Sequence, residues 1–143
     1  MTSGKTDPAV IRRHLAGLRE ALANLRKHAA RTAAELRADP DLRWAVERGL
    51  QLSAQNVLDI ATHIAAASGL DSPDYSSAIE RLAELLVLPA EFASRLRPIA
   101  GFRNILVHGY LQVDLAVVER VLREKLPEFE EFARHVEAHL APA

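Results

Sequence analysis

The sequence contains no cysteine. That absence excludes disulfides and thiol catalysis within the chain, so stability must come from packing. Also missing is an uninterrupted apolar run of about eighteen residues, the length a membrane-spanning helix needs. The opening segment MTSGKTDPAV lacks the apolar centre of a secretory signal. Together these absences lead us to expect a soluble, cytoplasmic protein with no membrane partner. The formal net charge is −1, which gives no global attraction to nucleic acid. An RNA-binding argument must therefore rest on a local cluster of positive charge. No segment alternates with period two for long enough to suggest a sheet, and there is no internal repeat or low-complexity linker.

What remains is helical. With 143 residues, 49% of them hydrophobic and 26% charged, the chain can bury a real core and is expected to form a single domain over residues 1–143, with 1–7 flexible. After Asp7 and Pro8, a cap and first-turn pair, Ile11, Leu15, Leu18, Leu22 and Leu25 alternate spacings of four and three. This predicts a long amphipathic helix whose seam continues through Ala29 and Leu36 to about Asp39 and Pro40. From about Asp41 to Ala67, Val46, Leu50, Val57, Ala61, Ile64 and Ala65 form a second stripe, ending at Ser68 and Gly69. A third helix is predicted over roughly 75–88, capped by Ser72 or Asp74 and stopped near Pro89. The fourth pattern runs from Phe92 to Val107, kinked or restarted at Pro98. The last, from about Val113 to Leu140, is interrupted by Pro127. The predicted fold is all-α, an up-and-down bundle of four or five helices.

The segment GFRNILVHGY, residues 101–110, sets Arg103, Asn104, His108 and Tyr110 into an otherwise apolar, uncharged run. On an ideal helix Arg103 and His108 stand about 140° apart and share no face. If the helix ends at Gly109, His108 lies in its last turn, where the geometry can relax and the helix end favours a cationic imidazole. No acidic residue occurs between Glu91 and Asp114, while Arg95, Arg97 and Arg103 do, giving a local positive patch. Acidic residues return with Glu119, Glu124, Glu128, Glu130, Glu131 and Glu137.

The string RNILVHGY, read as R-N-x-x-x-H-x-Y, resembles the signature of HEPN-fold proteins and, with its tyrosine two places after the histidine, the HepT-like toxin branch. The resemblance extends over nearly the whole chain: its length, the two long first helices, the motif after a proline-bearing helix and the acidic last helix. It implies a metal-independent endoribonuclease toxin, with no cofactor, of a type VII-like toxin–antitoxin pair. A homodimer would bring the catalytic Arg103 and His108 of both subunits into one cleft. RNA cleavage by its own 2′-hydroxyl needs a base, an acid and stabilisation of a charged phosphorane. Two histidines titrating near pH ~6.5 could divide the proton transfers, while Arg103 holds the phosphate through its planar fork of donors. Asn104 is a supporting residue, either a neutral donor to phosphate or an orienter of His108. The resemblance further implies that a nucleotidyltransferase antitoxin transfers AMP onto Tyr110, placing charge and bulk where the RNA phosphate would sit. The antitoxin would be a separate chain, because this one lacks a Gly-Ser start with paired acidic metal ligands on strands. RNA, not DNA, is the expected substrate. The alternative is a non-catalytic helical subunit that binds nucleotide or substrate for a partner nucleotidyltransferase.

Other polar residues carry weaker signals. Asn56, Asp59 and His63 fall within about 120° on the polar side of the second helix and are candidates either for the cleft or for an ordinary solvated face. His135 and His139 are spaced to grip a metal, but no third ligand stands nearby and an exposed helical pair is the simpler reading, so no metal site is expected. Arg95 and Arg97 are read as surface residues, and Trp44 as a core or dimer contact.

Overall fold

The computed structural model describes residues 6–108 and 113–142. Over these residues the chain is all-α, in the order α1 (Pro8–Arg26), α2 (Ala33–Ala38), α3 (Pro40–Ala67), α4 (Tyr75–Glu84), α5 (Ala90–Leu96), α6 (Ile99–Val107), α7 (Leu115–Glu124) and α8 (Leu126–Leu140). Residues 1–5, part of the segment expected to be flexible, lie outside the described residues.

Local chemistry sets the boundaries. Asp7 caps α1 by accepting from the Ala9 N–H at 3.0 Å, and Pro8 occupies the first turn. The first seam does not run unbroken to Leu36 as its spacing suggested. Thr32 and Glu35 form a reciprocal capping box that starts α2 afresh. Asp39 and Pro40 then begin α3, with the Asp39 carboxylate accepting from the Leu42 N–H at 3.2 Å. At the other end of α3, Gly69 takes φ 76° and Leu70 N–H returns to the Ala65 carbonyl, the left-handed stop that glycine permits. Asp74, rather than Ser72, caps α4. The two proline breaks are real restarts, separating α5 from α6 and α7 from α8.

Helix α3 is the centre. Its buried side chains include Val46, Leu50, Val57, Ile60, Ala61 and Ile64, and α1, α4 and α6 pack against it. Contacts between Asp7 and His63, His14 and Asn56, and Leu25 and Gly49 show α1 running antiparallel to α3. The two approach closely: a Cβ on Gly49 would stand 2.8 Å from Leu25 Cδ2. Helix α8 closes the far side of α1 through the ion pairs Arg19–Glu137 and Arg26–Glu130, and sends Phe129, Phe132 and Val136 into the core. Ser53, the buried polar side chain of α3, is satisfied by donating to the Gly49 carbonyl at 2.8 Å.

Packing alters two expectations. Trp44 is not a core contact, since it is 70% exposed and sits on the side of α3 away from the buried stripe; of the two readings, this leaves the dimer contact. The third helix stops at Glu84 instead of reaching Leu88: Leu86 adopts φ 62° and is 89% exposed, while Val87 and Leu88 N–H groups both return to the Leu82 carbonyl. A left-handed leucine is strained and, here, contributes little burial. Leu86→Gly is expected to stabilise the fold by roughly 1 kcal/mol, read as a raised urea midpoint with an unchanged slope.

Candidate functional site

Phe102 and Leu106 anchor α6 in the core. Arg103, between them, is thereby turned toward α3. Its Nε–H donates to Gln55 Oε1 at 2.7 Å, and Nη1 donates to Asn104 Oδ1 at 2.9 Å. The Gln55 amide orientation is settled by its other end, which donates to Asp59 Oδ1 at 2.8 Å and lies 3.4 Å from the Tyr75 hydroxyl. Beneath the guanidinium, the Tyr75 ring centroid lies 5.2 Å from Arg103 Cζ, within cation–π range. The result is a polar chain, Asp59 to Gln55 to Arg103 to Asn104, that fixes a planar cation from two sides and one face. Among the described residues no acceptor engages its Nη2 group. A bidentate pair with Asp59 itself would have neutralised the cation directly; Gln55 orients it without doing so.

His108 is the C-cap of α6. Its backbone N–H donates to the Asn104 carbonyl at 3.0 Å and its side chain is exposed. Asn104 thus joins Arg103 through its side chain and His108 through its backbone. Tyr110 lies outside the described residues. Beside the tyrosine platform, a cleft of about 460 Å³ is lined by Thr62, Asp74, Tyr75, Gly101 and Asn104. On the opposite flank of α6, Ile99, Phe102 and Ile105 border a separate apolar groove of about 420 Å³ shared with α7 and α8, which contains neither Arg103 nor His108.

The remaining candidates separate. Asp59 reaches Arg103 through Gln55, but Asn56 and His63 are engaged by α1. Asn56 Oδ1 accepts from His14 Nδ1 at 2.9 Å while its amide donates to the Leu52 carbonyl, and His63 Nε2 accepts from the Asp7 N–H at 3.1 Å. The positive patch read along the chain is also reduced in space. Arg97 pairs with Glu80 at 2.6 Å, and Arg95 lies over the Phe92 ring within 4.0 Å of Glu128 and Glu131. Arg103 is the member of that patch paired with no carboxylate among the described residues. His135 is half-buried against Phe92 and beside Glu131, more committed than an exposed pair with His139 implied. Among the described residues no group of three or more histidine, aspartate or glutamate side chains is placed to hold a metal.

Gln55 and Tyr75 were missed by sequence reasoning. A signal existed for the first: Gln55 and Asp59 are an i, i+4 pair on a polar strip of α3. None existed for Tyr75, which approaches only after α4 folds back on α3.

A family model described as ribonuclease HepT-like matches residues 18–136. The chain belongs to the HepT-like family. Relatives include the mRNA nuclease HepT of Shewanella oneidensis, 30% identical over 105 residues, covering 73% of this chain and 79% of that one. The tRNA nuclease HepT of Aphanizomenon flos-aquae is 32% identical over 96 residues, covering 66% and 65%. Among solved structures, the tri-AMPylated Shewanella oneidensis HEPN toxin in complex with MNT antitoxin superposes with a TM-score of 0.79 at 24% identity, covering 90% of this chain and 97% of that one. The last likeness establishes the HEPN fold for this HepT-like chain.

The hydrogen bond from Arg103 to Gln55 is expected to couple the two residues by about 1 kcal/mol in a double-mutant cycle of Gln55→Leu and Arg103→Met. Additive unfolding energies would mean that Gln55 does not hold the guanidinium.

Proposed function

We propose that this HepT-like protein is an endoribonuclease toxin, acting on RNA in the cytoplasm without a metal. The carrying observation is Arg103: a cation whose Nε–H and Nη1 are already bonded, stacked on Tyr75, with its Nη2 engaged by no acceptor among the described residues and so able to take a phosphate oxygen. Such preorganisation stabilises a phosphorane without reorganisation at the moment of reaction. The nuclease relatives support RNA as the substrate class.

Because His108 closes the same helix that carries Arg103, pairing two copies of the chain would supply two imidazoles and two guanidiniums to one strand. The imidazole of one subunit removes the 2′-hydroxyl proton. The 2′-oxygen attacks phosphorus, the bond to the 5′-oxygen breaks, and the imidazolium of the other subunit gives its proton to that leaving oxygen. The products are a 2′,3′-cyclic phosphate and a 5′-hydroxyl, and no proton or electron is left unaccounted for. Asn104 supports Arg103. Asp59 acts at one remove, by orienting Gln55.

Regulation follows from Tyr110, two residues beyond His108. AMP placed on its hydroxyl by a cognate nucleotidyltransferase antitoxin would bring a phosphate within reach of the donors that RNA uses. The AMPylated state of the Shewanella toxin supports this reading.

Purified unmodified protein is expected to cleave total RNA in EDTA and leave cyclic-phosphate ends. His108→Ala should lower the rate by about 10²–10⁴-fold and Arg103→Ala by about 10²–10³-fold. Equal end patterns for wild type and His108→Ala, with mass spectrometry showing Tyr110 unmodified, would instead make the chain a nucleotide-binding subunit. With the antitoxin and ATP added, Tyr110→Phe should retain cleavage where the wild type loses it.

A further inference from the structure

Near the N-terminus of α3 a second constellation stands apart from the Arg103 chain, which meets the helix at its middle. Trp44, the sole tryptophan, leaves 70% of its surface in water. Around it a pocket of about 600 Å³ is lined by Arg37, Arg43, Glu47 and the segment Val113–Leu115 that leads into α7. Asp114, in that segment, is committed to capping α7 through the Ala116 N–H at 2.9 Å. Arg43 and Glu47 face each other at 3.9 Å, about 30% and 26% exposed. Burial pushes the Glu47 carboxyl above its ordinary range against the attraction of Arg43.

The position of this pocket relative to the site gives it meaning. Trp44 precedes Gln55 by eleven residues, about three helical turns, so the two stand within roughly 20° of each other around α3 and about 16 Å apart along it. Exposed Arg48 lies on the same strip between them. A solvent-facing indole flanked by guanidiniums is the arrangement that stacks an unpaired base while holding its phosphate. The neighbouring carboxyl can accept from, or when protonated donate to, a base edge. An extended strand lying along this strip would reach Arg103 after a short run of nucleotides.

We propose that Trp44, with Arg37 and Arg43, forms a nucleobase-stacking subsite for single-stranded RNA, distal to the cleavage site on the same face of α3. This inference rests on the ribonuclease reading. It concerns where the substrate is held, not how it is cut.

Because there is one tryptophan, its emission reports on this pocket alone. A short oligoadenylate added to the His108→Ala protein should quench Trp44 saturably, and more weakly as salt rises. Trp44→Ala should weaken oligoadenylate binding about 10- to 100-fold, the range expected for losing one stacked base, and raise KM for RNA in the otherwise active enzyme. Trp44→Phe should restore much of both. Exposure of the side chain makes misfolding of either variant unexpected, and circular dichroism checks it. If the wild type cleaves RNA while oligoadenylate leaves Trp44 emission unchanged and Trp44→Ala leaves KM alone, the subsite is overturned and the ribonuclease stands. A spectral shift that follows protein concentration without RNA, or that needs the antitoxin, would overturn it in favour of a protein interface. Quenching by oligoadenylate in a chain that cuts no RNA would keep the subsite and remove the ribonuclease.

Discussion

The burial of α3 is the constraint on which the rest of the structure depends. A 28-residue helix whose buried stripe includes Leu50, Val57, Ile60, Ala61 and Ile64 can be desolvated only if neighbours cover it from several directions. Helices α1, α4 and α6 do so. Small residues at the contacts decide how near they come, and Gly49 admits Leu25 where a side chain would not fit. Once the stripe is buried, the uncovered strip of α3 is determined too, since the two are fixed relative to each other by helical geometry.

That strip carries the polar contacts of the middle of the helix. Gln55 and Asp59 meet Arg103 because Phe102 and Leu106 seat α6 against the core, leaving Arg103 no other direction. The apolar contacts bear the folding energy; the polar chain is oriented by them and in turn orients a cation. A glutamine is a suitable intermediary. It accepts from the guanidinium with one end and donates to a carboxylate with the other, so the cation keeps its charge. His108 stands differently, at a helix end and open to solvent.

Legibility in the sequence followed the range of the interaction involved. Helix identity and most boundaries rest on neighbours within four residues: Asp7 before Pro8, Asp39 before Pro40, Asp74 before Ser77, and the breaks at Pro98 and Pro127. The capping box at Thr32 and Glu35 was equally local and was obscured by the apolar seam running across it. The left-handed Leu86 carried no signal, since leucine is not a residue that adopts such a turn readily. The motif Arg103, Asn104 and His108 was legible as a string, whereas the partners of Arg103 were not. Asn56, Asp59 and His63 looked equivalent on one polar face, and only the path of α1 separated them, claiming Asn56 and His63 and leaving Asp59.

By itself, then, the sequence determined an all-helical chain, its breaks and the motif that marks its family, because periodicity, caps and a short string of residue types are local properties. The tertiary structure decided which charges remain available. Arg95 and Arg97 lose their apparent prominence to carboxylates on α8 and α4, Arg103 gains Gln55 and Tyr75 from α3 and α4, and Trp44 is left facing water. Those outcomes depend on pairs of residues far apart in the chain, which meet only when the apolar faces between them are buried.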